Sequence, residues 1–212
     1  MARRPNPPAR CGAPAAVLLA AGASRRLGRP KQFLRRGGLP LLLHQLRLAA
    51  GATRAGSARD LVVVTGARRF AVARAASLAG AQVVHAADWQ QGMGRSLARG
   101  VATVAPGQAV LVLTVDQHRV VLRDLARLLA RWRRAPWRPA AAVYAGGPGV
   151  PAILPGGWRA RLLRLSGDRG AGTLLRAAGR RLTRVAMPRA AVDVDRPEDW
   201  PGTRAAPWPR RG

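Results

Sequence analysis

A single lysine follows a glycine-rich stretch in a chain whose other basic residues are all arginine. Lys31 is the only lysine among 37 basic residues, and the segment "AAGASRRLGRPK" leads into it from Ala20. Gly22 and Gly28 would let backbone N–H groups approach a phosphate, because glycine has no Cβ. Arg26 adds a planar guanidinium, and Lys31 adds a compact point charge. The stretch therefore predicts a phosphate-binding loop in which Arg26 and Lys31 act as catalytic cations.

The nucleotide-binding candidates include the strand end before this loop and a second glycine-containing segment further along. Glycine spacing alone leaves an ordinary strand-to-helix turn as the alternative, with the lone lysine a matter of chance. The sequence has neither the Gly-Lys-Ser/Thr of a P-loop nor the G-x-G-x-x-G of a dinucleotide fold. Ser96 also has a structural alternative, as the N-cap of a helix. The predicted nucleotide-binding residues are Leu19, Ala20, Ala21, Gly22, Ser24, Arg26, Gly28, Lys31, Gly92 and Ser96.

Asp116 is the leading candidate for a metal ligand and a catalytic role. It follows the apolar run "VLVLTV" at 110–115, so its carboxylate is expected at the end of a buried strand. Carboxylate oxygens are hard ligands that suit Mg²⁺, which also binds triphosphates. The alternative is that Asp116 caps a helix starting near Val120. Asp195, and after it Asp193, are candidates to complete the metal site. We expect these two to point to opposite sides of an extended stretch, so that only one joins Asp116.

These residues need a sheet whose strand ends meet at one edge. Six apolar runs predict strands, and helical patterns lie between them. This alternation predicts an α/β fold with a mostly parallel central sheet flanked by helices, in which ligands bind beyond the carboxyl ends of the strands. The predicted strands are 15–19, 60–65, 82–85, 109–115, 140–144 and 151–154, and the predicted helices are 40–50, 67–79, 95–104, 120–134, 157–165 and 171–179.

One domain is expected, over residues 14–200. The chain has 212 residues and no internal repeat. The Arg/Pro-rich segments 1–13 and 201–212 are expected to be flexible tails. The apolar run after the first tail is short and leads into the glycine-rich loop, so we do not expect a signal peptide. Cys11 is the only cysteine, which excludes a disulfide framework and favours the cytoplasm.

The formal net charge of +28 is extreme. Such a balance is typical of proteins that bind nucleic acid or anionic membranes. The arginines are spread along the chain, however, and aromatic residues make up 4% of it, so nucleic acid is the less favoured partner. No apolar run approaches the roughly 20 residues of a membrane span, which argues against a membrane protein. The positive field is expected to attract polyphosphate substrates.

The segment "LLAAGASRRLGRPKQFL" resembles the L-A-A/G-G-x-S-x-R-M-G-x-x-K-x-L signature of the MobA-like NTP transferases, and among them the molybdenum cofactor cytidylyltransferases. Leu27 stands where that family usually has Met. Downstream, "DWQQGMGRSLARG" is similar to the subgroup's W-x-x-G-M-x-x-S-L segment, and "AVDVDRPEDW" to the family's D-I-D-T-P-E-D ending. "VLVLTVDQH" resembles the family's metal motif, with His118, which we expect at the surface, in place of the usual Pro.

Two further segments resemble the family's segments around its second substrate. "YAGGPGVPAILP" is similar to Y-x-G-x-x-G-H-P-x-L-F, with Val150 in place of the usual His. "LSGDRGAGTLL" is similar to L-x-G-D-x-G-A-R, and a helix start near Gly170 is its structural alternative. The resemblance implies acceptor-binding roles for Gly149, Pro151, Gly167 and Asp168.

The resemblance also implies a fold and a reaction. The fold is a single Rossmann-like domain of the nucleotide-diphospho-sugar transferase type. The reaction is transfer of CMP from CTP to a phosphorylated acceptor, the molybdopterin cofactor, with Mg²⁺ and release of pyrophosphate. A partner in molybdoenzyme maturation is implied too. "LAAG" at 19–22 favours CTP over other NTPs, because guanylyl-transferring relatives more often show "LAGG". The alternatives are guanylyl or sugar-phosphate transfer, nucleotide binding without turnover, and a basic nucleic-acid-binding protein.

Overall fold

A seven-stranded sheet forms the centre of the fold in this computed structural model, which describes residues 12–168 and 170–200. Residues 1–11 and 201–212, on which most of the two predicted tails falls, lie outside the described residues. A separate two-stranded hairpin follows the first strand. The strands are β1 (Ala15–Leu19), β2 (Arg35–Arg36), β3 (Leu39–Pro40), β4 (Leu61–Thr65), β5 (Gln82–His85), β6 (Val110–Thr114), β7 (Ala140–Tyr144), β8 (Gly147–Leu154) and β9 (Thr183–Ala186).

The sheet is mostly parallel. Its order is β5-β4-β1-β6-β8-β7-β9, and β2 and β3 form the hairpin. Strands β5, β4, β1 and β6 are parallel to one another, β8 is antiparallel to its neighbours β6 and β7, and β7 and β9 are parallel. The prediction of an α/β fold with a mostly parallel sheet is therefore confirmed.

Helices cover both faces of the sheet. Ala16 and Leu18 of β1 face one buried cluster, whereas Val17 and Leu19 face a second cluster on the opposite side. A strand that is buried on both faces needs a continuous apolar run, which is what β1 has. The helices are α1 (Leu41–Thr53), α2 (Arg69–Leu78), α3 (Met93–Thr103), α4 (Leu122–Trp132), α5 (Arg159–Leu163) and α6 (Gly172–Ala177). Helices α1, α2 and α4 contribute to the first cluster, and α3, α5 and α6 to the second.

Apart from shifts of one to three residues at element ends, the predicted elements differ from the structure in four places. The short hairpin strands β2 and β3 were not predicted. The edge strand β9 was not predicted, because only Val185 of its four residues is buried. Strand β8 begins at Gly147 rather than at 151. Its first residues were not predicted as a strand, because they are rich in Gly and Pro, which are rare in strands. The helix predicted over 157–165 is a 3₁₀ turn followed by the five-residue α5.

The strand order places the ends of β1 and β6 side by side. Leu19 at the end of β1 pairs with Thr114 at the end of β6. The chain runs from β1 outward to β4 and β5 and then returns to β6 on the other side of β1, so a crevice opens between the loops after β1 and β6. Helix α3 makes this return, and Gly100 lets it approach the sheet, because a Cβ there would lie 2.6 Å from Val17 Cγ1. None of the helices in the described ranges has the length and apolar content needed to cross a membrane.

Candidate active site

The ammonium group of Lys31 bridges two carboxylates at the crevice between β1 and β6. Its Nζ atom lies 2.8 Å from Asp116 Oδ2 and 2.9 Å from Asp195 Oδ1. Burial disfavours the charged amine, but the two ion pairs outweigh burial and raise the pKa of Lys31 above its ordinary value. Lys31 is therefore cationic at neutral pH and neutralises carboxylates from two distant segments of the chain.

The loop between β1 and Lys31 is shaped by local contacts. The Lys31 backbone N–H donates to Ser24 Oγ at 3.1 Å, and the Gly28 N–H donates to the Ser24 carbonyl oxygen. Gly28 has a φ of +72°, a left-handed conformation that glycine adopts without strain. The buried side chain of Gln32 donates to the carbonyl oxygens of Ala20 and Gly22 at 2.9 and 3.0 Å. These bonds hold the loop over the end of β1.

Gly22 has no protein neighbour that requires glycine. A Cβ at this position would meet no atom within 4 Å, and Gly22 is not among the glycines with positive φ. The space in front of its Cα therefore opens into the cavity rather than against packed protein. This is the arrangement expected where a ligand approaches the backbone closely.

Asp193 and Asp195 both face Asp116. One carboxylate oxygen from each of the three residues lies within 4.8 Å of the others. The expectation that Asp193 and Asp195 point to opposite sides was therefore wrong. Residues two apart in an extended segment share a face, and Val194 between them is fully buried on the other side.

The three carboxylates form a group that fits a hard divalent cation. Burial, together with the charges of Asp116 and Asp195, raises the pKa of Asp193. Mutual repulsion of this kind is relieved when a cation binds between the carboxylates, and oxygen ligands are those that Mg²⁺ and Mn²⁺ prefer. Asp116 does not cap α4, because the N-cap of that helix is Val121, whose N–H donates to the Asp124 carboxylate at 3.2 Å.

Arg26 completes the charged group from the solvent side. Its Nη2 atom donates to Asp195 Oδ2, and its side chain is 67% exposed. The backbone N–H groups of Asp195 and Arg196 in turn donate to the Asp199 carboxylate, at 3.0 and 2.7 Å. Asp199 therefore fixes the turn that presents Asp195, whereas the exposed Arg26 has room to move toward a ligand.

Gln117 ties the Asp116 loop to the rest of the site. Its buried Nε2 lies 2.8 Å from the carbonyl oxygens of both Val150 and Ala190. Ala190 belongs to the segment that leads to Asp193, so one side chain fixes the positions of two parts of the carboxylate group. Gln117 was not predicted to have a role, although it belongs to the motif "VLVLTVDQH".

His118 is a buried packing residue rather than the surface histidine that we expected. Its side chain is 4% exposed and meets the Trp200 ring edge-on, with ring centroids 5.3 Å apart. Burial and then Arg119 lower the pKa of His118, so its neutral form is favoured. Although His118 replaces the family's usual Pro, the loop still holds Asp116 against Lys31.

The start of α3 packs against the loop at 166–168. The Gly94 N–H donates to the Gly167 carbonyl oxygen at 2.9 Å. A Cβ at Gly92 would lie 2.3 Å from the Gly167 carbonyl carbon, so only glycine allows this approach. Asp168 follows this contact and lines the cavity. It does not start α6, whose N-cap is Ala171.

Ser96 lies inside α3 and faces the cavity. Helix α3 begins at Met93 after an N-cap at Gly92, so the N-cap alternative for Ser96 was wrong. The serine is 3% exposed and contributes to the cavity wall. A ligand hydroxyl or phosphate could accept or donate a hydrogen bond at its Oγ atom.

A cavity of about 440 Å³ connects these groups. This volume is within the range of small-molecule sites. The structure brings most of the predicted site residues to its wall and adds others that the sequence analysis did not predict. The predicted residues on the wall are Leu19, Ala20, Ala21, Gly22, Arg26, Lys31, Gly92, Ser96, Asp116, Asp168, Asp193 and Asp195. The additional ones are Gln32, Trp89, Gln90, Met93, Thr114 and Val115.

Five predicted site residues do not line this cavity. Ser24, Gly28 and Gly167 shape its loops through backbone contacts. Gly149 lies in β8, where a Cβ would be 2.3 Å from the Tyr144 hydroxyl oxygen, so its glycine is required by Tyr144. Pro151 is buried in the same strand. The structure therefore does not bring Gly149 and Pro151 to the candidate site.

The sequence profile of the MobA-like NTP transferase domain matches residues 16–185, about four-fifths of the chain. The chain belongs to the MobA-like NTP transferase family. Nucleotidyl transfer is the activity of this family, and the cavity at the ends of β1 and β6 lies where an open α/β sheet binds its ligand.

Several solved structures share the fold of this MobA-like NTP transferase. Rv0371c from Mycobacterium tuberculosis H37Rv is 29% identical, with a TM-score of 0.74 over 89% of this chain and 95% of its own. The same protein in complex with manganese is 28% identical, with a TM-score of 0.69 over 87% of this chain and 94% of its own. A nucleotidyl transferase from Methanothermobacter is 23% identical, with a TM-score of 0.71 over 87% and 92% of the two chains, and shows likeness of fold alone. No curated protein matches the chain in sequence.

Proposed function

We propose that this protein transfers CMP from CTP to a phosphorylated acceptor, the molybdopterin cofactor, and releases pyrophosphate. The observation that carries the proposal is the position of Lys31, whose Nζ lies between the carboxylates of Asp116 and Asp195 at the wall of a cavity that also contains the open backbone of Gly22. An anion-binding loop and a group of carboxylates that could hold a divalent cation thus share one cavity. The resemblance to cytidylyltransferases supports CTP and the pterin acceptor.

The proposed cofactor is Mg²⁺, held by Asp116 and Asp195 with Asp193 as a third ligand. The fit rests on the three oxygens within 4.8 Å of one another and on the raised pKa of Asp193. When bound, the ion would supply positive charge that offsets the charge of the triphosphate. The manganese complex of Rv0371c, at 28% identity, supports a divalent cation in this family.

The chain's own residues would bind and orient the triphosphate. Backbone around Gly22 would contact the phosphates. Arg26 would turn toward them from Asp195, and Lys31 from Asp116 and Asp195. An oxygen of the acceptor's phosphate would form a bond to the α-phosphorus while the bond from that phosphorus to the β-phosphate oxygen breaks. Pyrophosphate then leaves with the electron pair of the broken bond.

No general base is needed for this step. A phosphate nucleophile is already ionised at neutral pH, so the site has to align the two phosphates and neutralise their charge. Lys31 suits the second task, because its compact ammonium can follow the charge that develops on the leaving pyrophosphate. The acceptor would approach from the side of Ser96 and Asp168, where the cavity is lined by α3 and the loop before α6.

Pyrophosphate release is the direct test. The purified chain is incubated with Mg²⁺ and either CTP or GTP, with and without molybdopterin, and Asp116→Asn serves as the inactive control. We expect release with CTP only when molybdopterin is present, and none from Asp116→Asn. Release with GTP instead would establish guanylyl transfer. No release with either nucleotide and molybdopterin would contradict the proposed reaction.

A further inference from the structure

A second cavity lies at the opposite edge of the sheet from the candidate active site. It has a volume of about 640 Å³ and lies beside the start of β7. Strand β7 runs in the same direction as β6, because both are antiparallel to β8. The start of β7 is therefore at the edge where β6 begins, whereas Asp116 follows the end of β6. The second cavity shares no lining residue with the candidate active site, so the proposed nucleotidyl transfer does not explain it.

Four arginines and two tryptophans line this second cavity. They come from separate parts of the chain and meet only in the fold, so no local pattern in the sequence indicates the cluster. Together they place four arginines and two tryptophans around one concavity. They are Trp137, Arg138, Trp158, Arg161, Arg180 and Arg181.

Within the described part of the chain, the four arginines have no acidic partner. All nine acidic residues of the chain are among the described residues, and none of them lines the second cavity. Across residues 12–168 and 170–200, none of the four arginines forms an ion pair. Some arginines elsewhere do form ion pairs, as Arg95 and Arg99 do with Asp88. Four like charges around one concavity leave an uncompensated positive potential that an anion would relieve.

The cluster is held by ordered elements. Arg180 and Arg181 lie in the 3₁₀ turn Gly179–Arg181, and Arg161 lies in α5. Trp158 packs against the buried cluster on this face of the sheet, so its ring position is fixed. Trp137, by contrast, is 63% exposed. A large exposed indole beside guanidinium groups is a surface on which a nucleobase can stack.

We propose that the second cavity binds a nucleoside polyphosphate as a ligand that is distinct from the substrate. The arginines would contact the phosphate oxygens, since planar guanidinium groups bind phosphates through paired hydrogen bonds. The indole of Trp137 would stack on the base. The volume is that of a small-molecule site, and the concave shape favours a single nucleotide over an extended strand of nucleic acid, which needs a continuous groove.

Photocrosslinking locates the ligand without relying on turnover. ATP is the probe, because it is not the substrate of the proposed reaction, and 8-azido-ATP is its photoreactive form. We expect mass spectrometry of the full-length chain to find label on peptides that contain Trp137 or Trp158, and the label to decrease when excess ATP is added. Label confined to peptides of the 19–31 loop and Asp116 would overturn the proposal.

Binding measurements on matched variants test the arginines. Arg180→Gln/Arg181→Gln removes two charges from the cavity, and Arg47→Gln/Arg74→Gln removes two exposed charges from α1 and α2. At fixed salt, we expect calorimetry to show at least a tenfold loss of ATP affinity in the first variant and less than a twofold change in the second. Equal losses in both would show a general charge effect and overturn the site.

A third variant separates the base from the phosphates. Trp137→Ala should weaken the binding of ATP but leave the binding of inorganic tripolyphosphate unchanged, because only the base stacks on the indole.

A single-stranded 12-mer oligonucleotide tests nucleic acid as the ligand. If it binds more tightly than ATP and loses that binding in Arg180→Gln/Arg181→Gln, the ligand is a nucleic-acid strand rather than a nucleotide. These binding measurements do not depend on pyrophosphate release. The proposed nucleotidyl transfer and the proposed second nucleotide site can therefore each be contradicted without the other.

Discussion

The Nζ atom of Lys31 lies 2.8 Å from Asp116 Oδ2, although the two residues are 85 positions apart in the chain. Lys31 follows β1 and Asp116 follows β6, and these strands are neighbours in the sheet. The long excursion through β4, β5 and α3 returns the chain to the other side of β1. The topology itself therefore places the glycine-rich loop that ends at Lys31 beside a carboxylate that could hold a cation.

Replacing Lys31 should impair catalysis more than folding. Lys31→Ala removes the cation proposed to follow the charge on the leaving pyrophosphate, and loss of one such contact typically lowers the rate about 10²–10³-fold. We expect kcat in the pyrophosphate assay to fall by that factor while the thermal unfolding temperature changes by a few degrees at most.

Lys31→Arg is the matched variant that keeps the charge. A planar guanidinium is larger and cannot occupy the position 2.8–2.9 Å from both carboxylates in the same way as an ammonium group. We expect its kcat to lie between that of wild type and Lys31→Ala. Wild-type turnover in Lys31→Ala, measured on folded protein, would remove Lys31 from the proposed mechanism.

Removing a carboxylate should weaken divalent cation binding. Asp116→Asn or Asp195→Asn takes one charge from the three-carboxylate group, and we expect at least a tenfold loss of Mn²⁺ affinity, measured by electron paramagnetic resonance. Asp60→Asn is the control, because Asp60 accepts hydrogen bonds from Ser57 and Gln108 at a distant turn. Unchanged Mn²⁺ binding in Asp116→Asn would contradict the proposed metal site.

Lys31 should compete with the cation when no nucleotide is present. Its ammonium group occupies one oxygen of Asp116 and one of Asp195, so a cation must displace it. We therefore expect Lys31→Ala to bind Mn²⁺ more tightly than wild type in the absence of nucleotide, in the same spectroscopic measurement. Weaker Mn²⁺ binding in this variant would show that Lys31 supports the cation site instead.

The sequence could predict the loop and the strand ends because their signals are local. The apolar runs of β1 and β6 come shortly before Gly22 and Asp116. Such continuous apolar runs are typical of parallel strands that are buried on both faces. The buried polar residues were harder to assign. Gln32 and Gln117 hold loops together through contacts with carbonyl oxygens of distant segments, and nothing local in the sequence specifies such partners.

The arrangement of Asp193 and Asp195 could have been predicted. An extended segment places residues two apart on the same face. The apolar Val194 between the two acids belongs on the buried face, so both carboxylates belong on the opposite face. The second cavity is a different case, because its arginines and tryptophans are distributed from residue 137 to residue 181 among many other arginines. Only tertiary contacts distinguish these arginines from the rest of a chain with a net charge of +28.

Adding a methyl group at Gly22 should lower nucleotide affinity without affecting the fold. A Cβ there would meet no protein atom within 4 Å, so the side chain would project into the space proposed for the phosphates. We expect Gly22→Ala to raise the KM for the nucleotide at least tenfold in the pyrophosphate assay. Gly56→Ala is the control, because a Cβ at Gly56 also meets no atom and Gly56 lies outside the cavity. An unchanged KM in Gly22→Ala would show that no ligand approaches that position.

Stability should decrease in mild acid partly because of His44. Burial lowers the pKa of this histidine in α1, and the charges of Arg36 and Arg47 lower it further. The unfolded chain binds a proton at His44 as the pH falls through about 6.5, whereas the folded chain resists it until the pH is lower. The unfolded state therefore binds more protons in this window, and the free energy of unfolding decreases as the pH falls below about 6.5.

Denaturant unfolding of wild type and His44→Gln at pH 7.5, 6.5, 5.5 and 4.5 measures this effect. We expect the free energy of unfolding to fall less steeply with acid in His44→Gln, and the difference in slope to stay below the one-proton limit of about 1.4 kcal/mol per pH unit. His118, whose pKa is also lowered by burial, changes stability in the same direction in both proteins and cancels in the comparison. Parallel curves for wild type and His44→Gln would show that the folded protein does not resist protonation of His44.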